Sequence, residues 1–146
     1  MADSTKPRDL PSRDSALLTL RVVDRDGPIV EVLFHRAIAT ADDVREVLHS
    51  ARTFMEEHLV PAGAAKAYFV TCYDRFSVSR DVARPLQDAF LEFNREYSKG
   101  DARYGGTVVA QTLVISTAIR SEKPSEICAT REEALEHLRA RIRAET

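Results

Sequence analysis

The chain has 146 residues, a length typical of one domain, and its 44% hydrophobic content is enough to form one core. Its 21 basic and 23 acidic side chains give a formal net charge of −2, so the composition provides no basic surface for DNA or RNA. No apolar run approaches the ~20 residues of a membrane helix, and the N-terminus carries no secretory or transit signal. We therefore expect a cytoplasmic protein that is not embedded in a membrane.

The two cysteines, Cys72 and Cys128, both lie in apolar runs. This environment is typical of reduced core thiols in a cytosolic protein. A redox pair between them is an alternative that requires their strands to be neighbours.

The N-terminal part predicts a tail followed by a hairpin. Residues 1–14 are polar, charged and interrupted by two prolines, which predicts a disordered tail ahead of a single domain over residues 15–146. The stretch "LLTLRVV" alternates apolar and polar residues, and "IVEVLFH" follows after the turn residues Asp26 and Gly27. The pair is therefore predicted to form an antiparallel β-hairpin with one apolar face.

The next segment predicts a capped helix and a buried strand. The Thr40 hydroxyl is suited to accept a hydrogen bond from the backbone N–H of Asp43, and an apolar stripe at helical spacing runs from Val44 to Leu59. The stretch "KAYFVTCY" that follows is apolar throughout. It predicts a strand that is covered on both faces, as in the middle of a parallel sheet.

A second helix is predicted from the apolar stripe between Val82 and Phe93. Pro85 is expected either in its first turn or at a kink, because proline lacks the N–H that a helix interior requires. The residues "SKGD" are expected to end this helix.

The stretch "ARYGGTVVAQTLVISTAIRSEKPS" fits two structures. Its β-branched residues favour a strand, with Gly105 and Gly106 as a hairpin turn. Its periodicity equally favours a short strand and then a helix over residues 110–121. Beyond it, "EICAT" predicts a short strand, and Thr130 and Glu133 match a capping box. The last helix has an apolar stripe of four residues: Ala134, Leu135, Leu138 and Ile142.

This order of elements, together with the closing stretch "EICATREEALEHL", resembles STAS-like domains of the anti-sigma-factor-antagonist and sulfate-transporter type, including small bacterial members. The resemblance covers residues 16–142. It implies an α/β fold with a mixed four- to five-stranded sheet, an N-terminal β-hairpin and helices mainly on one face. It also implies a strand and then a helix in the stretch that periodicity leaves open.

In STAS-like proteins, the loop after the central strand and the start of the following helix bind a partner protein. A Ser or Thr in that loop is phosphorylated by an anti-sigma kinase. The corresponding stretch here is "CYDRFSVSRD", in which the family's Asp-Ser-x-Gly-Leu is absent. The resemblance implies Ser77 and Ser79 as candidate phosphorylation sites. It implies four partner-binding residues: Asp74, Arg75, Phe76 and Arg80.

Local chemistry gives the same serines a second interpretation. Ser79 directly precedes the helical pattern and Ser77 lies two residues earlier, so either one suits a helix N-cap. A phosphate would instead add about −1.5 to −2 charges at a helix N-terminus. Arg75 and Arg80 flank the serines and are suited to bind that charge.

Sequence motifs for catalysis are lacking. The chain has no nucleophile elbow, no Gly-rich phosphate loop and no dinucleotide fingerprint. Its four histidines form no i, i+4 pair with one another or with cysteine: His35, His49, His58 and His137. The apolar surroundings of Cys72 are expected to raise the pKa of its thiol and keep it inert. We expect a protein that is not an enzyme and holds no cofactor or metal.

Two functions fit these observations. The first is a regulatory or scaffolding protein that binds a protein partner through the loop after the central strand. The second is a carrier or sensor of a small apolar, lipid-like ligand. An exposed patch of Phe90, Phe93 and Tyr97 would favour the first, and a hollow that these rings line with Tyr68 and Phe69 would favour the second. "LLTLRVV" is also a candidate edge strand for a homodimer.

Overall fold

The computed structural model describes residues 10–106 and 125–145 of the chain. The strands in these residues are β1 (Ser12–Asp14), β2 (Leu18–Asp24), β3 (Ile29–Phe34), β4 (Ala67–Cys72), β5 (Ser98–Tyr104) and β6 (Ser125–Cys128). The helices are α1 (Ala41–Phe54), α2 (Arg80–Tyr97) and α3 (Arg131–Glu145), and α1 continues into a π-helical turn, Met55–Leu59.

The strands form one mixed sheet in which their spatial order equals their chain order. β2 runs antiparallel to both of its neighbours, β1 and β3, whereas β3, β4, β5 and β6 run parallel to one another. The predicted hairpin is confirmed as β2 and β3, with Gly27 at φ +62° in its turn. The sheet has six strands rather than four or five because β1 adds a strand before the hairpin.

β1 lies inside the segment that was predicted to be a disordered tail. Ser12 pairs with Arg21 of β2, and the Pro11 carbonyl accepts a hydrogen bond from the Val22 N–H at 3.0 Å. The tail prediction is therefore wrong for residues 12–14, and residues 1–9 lie outside the described part. Because β1 and β3 flank β2, the proposed dimer edge at "LLTLRVV" is not an edge either.

α1 and α2 cover one face of the sheet, and α3 lies on the other. The alternation predicted for β2 is confirmed, since its apolar residues enter the core beneath α1 and α2: Leu18, Leu20 and Val22. A smaller core under α3 contains four sheet residues and three helix residues: Ile29, Tyr68, Val70, Ala102, Ala134, Leu135 and Leu138. β4 contributes to both cores, as expected of a strand that is covered on both faces.

α1 begins as its sequence predicts. The Asp43 N–H donates to Thr40 Oγ1 at 3.1 Å, and the Thr40 N–H donates to the Asp43 carboxylate at 3.2 Å. This reciprocal capping box satisfies two N–H groups that a helix otherwise leaves without partners.

α2 begins at Arg80, so Pro85 lies inside the helix and not in its first turn. The helix ends before "SKGD", as predicted, but β5 already begins at Ser98. Gly105 and Gly106 do not form the hairpin turn, because a hairpin strand would have to pair with β5, which already has β4 on one side and β6 on the other. The sequence allows either a strand or a short strand followed by a helix in the next segment. This segment corresponds to residues 107–124, which lie outside the described part.

Candidate functional site

The β4–α2 loop (Tyr73–Ser79) lies at the carboxyl edge of the parallel strands. The Ile38 N–H donates to the Ser77 carbonyl, and the Ser79 N–H donates to the Ile38 carbonyl, both at 2.9 Å. This short parallel bridge joins the loop to the segment that precedes α1. The N-termini of α1 and α2 therefore lie side by side at one edge of the sheet.

Five of the six predicted site residues are exposed on this edge: Asp74, Arg75, Ser77, Ser79 and Arg80. The sixth, Phe76, is only 3% exposed. Its ring centroid lies 4.9 Å from that of Phe34 and 5.0 Å from that of Tyr73. The expectation that Phe76 contacts a partner is therefore wrong, because its ring anchors the loop in the core.

The β4–α2 loop also packs against the two glycines that follow β5. Gly106 has φ +90°, and a Cβ on it would lie 2.7 Å from the Cβ of Tyr73. A Cβ on Gly105 would overlap the Asp74 carboxylate. Only glycine combines this positive φ with so close a backbone approach. The sequence indicates a turn at "YGGT" but does not show which loop it contacts, since the two loops are far apart in the chain.

Ser79 occupies the N-cap position of α2, with φ −72° and ψ 144°, but its hydroxyl makes no capping hydrogen bond. Ser79 therefore has the predicted N-cap position, but its side chain does not make the capping hydrogen bond. Thr40 at the start of α1 makes the bond that Ser79 lacks. The exposed Ser79 hydroxyl therefore stands at the positive end of α2 without acting as a cap.

The two cysteines are free thiols at the carboxyl ends of β4 and β6. Tyr104 of β5 lies between them, opposite both Cys72 and Cys128. Two strand spacings put their Cα atoms about 10 Å apart, beyond the ~7 Å that a disulfide spans. The redox-pair alternative is therefore wrong. Burial raises the pKa of both thiols, as expected for Cys72.

A buried carboxylate joins β3 to β2 and α3. The Glu31 side chain is fully buried, and it accepts from Arg21 Nε at 2.8 Å and from Arg131 Nε at 2.6 Å. Burial raises the pKa of Glu31, but the hydrogen bonds and charges of Arg131 and Arg21 outweigh it and lower the pKa overall. The sequence does not predict this cluster, and its one sequence signal is the lone glutamate inside the apolar stretch "IVEVLF".

A cavity of about 80 Å³ lies between the sheet and the helices α1 and α2. Three of the rings considered in the sequence line it: Phe69, Phe90 and Phe93. Tyr68 does not, because it faces α3 on the other side of the sheet. Tyr97 donates its hydroxyl to Glu56 at 2.9 Å instead. On the β5 side, the wall becomes polar at Asp101 and Arg103.

Within residues 10–106 and 125–145, no group of three or more His, Cys, Asp or Glu side chains is placed to hold a metal ion. No helix in the same part of the chain is both long and apolar enough to cross a membrane.

This architecture is the SpoIIAA-like, or STAS-like, α/β fold that the sequence predicts. One similar structure is an uncharacterised DUF3478-family protein with a SpoIIAA-like fold from Shewanella loihica, with a TM-score of 0.62, 10% identity, and coverage of 88% of this chain and 98% of that one. Another is the anti-sigma factor antagonist SpoIIAA in its unphosphorylated form, with a TM-score of 0.51, 14% identity, and coverage of 84% and 97%. No protein-family model and no curated protein matches the chain. At these identities, the likeness establishes the fold.

Proposed function

We propose that this chain is a non-enzymatic regulatory or scaffolding protein that binds a protein partner through the β4–α2 loop and the start of α2. The observation that best supports this proposal is that the rest of the fold holds the backbone of the loop, while charged side chains of the loop and of the start of α2 are exposed. Phe76, the Ile38 bridge and Gly106 hold its backbone, while Arg75 and Arg80 reach solvent. A loop that is already ordered loses little conformational entropy when it binds.

The likeness to SpoIIAA, an anti-sigma factor antagonist, supports a regulatory role, which we propose that the chain performs in the cytoplasm. We further propose that phosphorylation switches this surface, and that Ser79 is the favoured site. A phosphate on Ser79 would meet N–H groups in the first turn of α2 that the serine hydroxyl does not satisfy. Arg80 and Arg75 stand on the same exposed edge and would offset its charge. Ser77 is exposed too but precedes the N-cap.

The test is an affinity pull-down from the native host with three baits. These are the wild type, Ser77→Asp/Ser79→Asp, and a control, Ser12→Asp/Ala65→Asp, that adds the same two charges at exposed positions away from the loop. We expect a partner that the wild type and the control retain and the loop variant loses. Mass spectrometry of the wild-type bait is expected to find phosphate on Ser79. A partner held equally by all three baits would contradict the switch.

The cavity beneath α1 and α2 favours a second candidate, a carrier of a small apolar ligand. Its volume of about 80 Å³ limits that role. An engineered cavity of about 150 Å³ binds a molecule as small as benzene, so a lipid chain does not fit here without a large rearrangement. Titration with a fluorescent fatty acid is therefore expected to show no saturable binding. Saturable binding would place the carrier function first.

A further inference from the structure

One peptide group joins the start of α1 to the start of α2. The Ile38 carbonyl accepts a hydrogen bond from the Ser79 N–H at 2.9 Å. The Ala39 N–H donates to the Asp43 carboxylate, also at 2.9 Å. The Ile38 carbonyl and the Ala39 N–H belong to the same peptide group, which is planar and trans, so they point in opposite directions. Asp43 and Ser79 therefore hold this peptide group from opposite sides.

The Asp43 carboxylate makes two further contacts in the segment that precedes α1. Its Oδ2, which accepts from Ala39, also accepts from the Thr40 N–H at 3.2 Å, and its Oδ1 lies 3.5 Å from Nη2 of Arg36. The hydrogen bond from the Ala39 N–H is the largest of the effects that hold the pKa of Asp43 below its ordinary value of 3.8. The carboxylate is therefore ionised at neutral pH, and its hydrogen bonds are charge-assisted.

An ionised acceptor on one side of a peptide group strengthens the hydrogen bond on the other side. The carboxylate polarises the peptide group through the Ala39 N–H and places more negative charge on the Ile38 oxygen. That oxygen then accepts more strongly from the Ser79 N–H. Ser79 is the N-cap of α2 and its side chain makes no capping bond, so backbone contacts such as this one hold the end of the β4–α2 loop.

We propose that Asp43 is a positioning residue for the partner-binding surface, and that it acts through the Ile38–Ala39 peptide group on Ser79 and the end of the β4–α2 loop. The carboxylate has this effect in the free protein, before any partner binds. The capping box of α1 thus has a second role besides starting the helix. This inference rests on the proposed function in one respect, namely that the β4–α2 loop and the start of α2 are the surface that a partner contacts.

The two halves of the capping box can be removed separately. Asp43→Ala removes the carboxylate and keeps the acceptor Thr40 Oγ1, whereas Thr40→Ala removes that acceptor and keeps the carboxylate. Both variants lose part of the α1 cap, but only Asp43→Ala releases the Ile38–Ala39 peptide group. Thr40→Ala is therefore a matched control for the loss of helix stability. Asp43→Asn keeps a neutral oxygen acceptor and is the conservative variant.

The first measurement is the hydrogen-exchange rate of the Ser79 amide in the free protein, relative to that of Val70 in the buried strand β4. We expect Asp43→Ala to raise this ratio about tenfold and Asp43→Asn about threefold, because the bond that holds the Ser79 N–H weakens. Thr40→Ala is expected to leave the ratio unchanged. The second measurement is the Kd of the captured, purified partner, which is expected to rise by about the same factors.

An Asp43→Ala variant that matches Thr40→Ala in both the exchange ratio and the Kd would overturn the proposal. Faster exchange with an unchanged Kd would also overturn it, because the contact would then not position the binding surface. If Asp43→Ala does not fold, Asp43→Asn takes its place in the same comparison. Loss of binding in Arg75→Glu/Arg80→Glu but not in Asp43→Ala would contradict this inference alone, whereas full binding by Arg75→Glu/Arg80→Glu would contradict the proposed function.

Discussion

Replacing both Arg21 and Arg131 by methionine is expected to destabilise the protein by about 3–5 kcal/mol, because Glu31 would remain buried without an opposite charge. Arg131→Met alone is expected to cost less, since Arg21 still binds the carboxylate. Adding Glu31→Gln to the double variant removes the uncompensated charge and is expected to recover much of the loss. Urea unfolding at pH 7 measures all three. A double variant within 1 kcal/mol of the wild type would contradict the assignment.

The wild type and the Arg21→Met/Arg131→Met variant are expected to show opposite pH dependences of stability, because the two arginines determine the direction in which the pKa of Glu31 shifts. In the wild type, the folded-state pKa of Glu31 lies below its ordinary value of 4.5, so its stabilising contribution is present above that pH and is lost as the pH falls through the folded-state pKa. In the double variant, burial without arginines is expected to raise the folded-state pKa above 4.5. Its Glu31 contribution should then become more favourable as the pH falls from 7 towards 4.5. Unfolding free energies across this interval, compared with those of the triple variant, isolate the effect of Glu31.

Gly106→Ala is expected to destabilise the protein by about 2–4 kcal/mol through strain at a positive φ and overlap with Tyr73. Gly63→Ala is a matched control, because Gly63 has φ +94° and no atom within 4 Å of the added Cβ. It is expected to cost only the backbone strain, about 1–2 kcal/mol. Chemical denaturation of both variants separates the two terms.

The excess loss in Gly106→Ala measures the packing of Gly106 against the β4–α2 loop. The Ala variant is also expected to show faster hydrogen exchange in the loop residues Tyr73–Ser79, whereas Gly63→Ala is not. Equal losses in the two variants, with unchanged exchange in the loop, would show that the loop does not depend on this contact.

Local patterns predicted the elements whose structure depends on neighbouring residues. The capping box of Thr40 and Asp43 and the alternation of β2 involve residues close in the chain, so sequence spacing specifies them. β1 escaped prediction because three polar residues acquire strand structure only by pairing with β2. Their polar composition alone is typical of a disordered tail.

The candidate loop follows the central strand, as the sequence predicts, but the sequence did not show which of its side chains are buried. Exposure of Arg75 and Arg80 follows from their charge, since such side chains are seldom buried. Phe76 lies between exposed residues, and only the long-range contact with Phe34 shows that its ring points inwards. The role of Glu31 was missed because its partner is distant in the chain. Its carboxylate lies in an apolar strand and is stabilised by Arg131, one hundred residues later. The lone glutamate in "IVEVLF" is a signal for a buried carboxylate, but the sequence does not show the distant partner of either residue.

The central claim is that the β4–α2 loop and the start of α2 bind a protein partner. The most direct measurement is the Kd of the captured, purified partner for the wild type, for Arg75→Glu/Arg80→Glu, and for Arg95→Glu/Lys99→Glu. The last variant makes the same charge change at exposed residues near the opposite edge of the sheet. A loss of affinity of about 100-fold for the loop variant, with little change for the control, is the predicted result. Equal affinities for all three proteins would contradict the account.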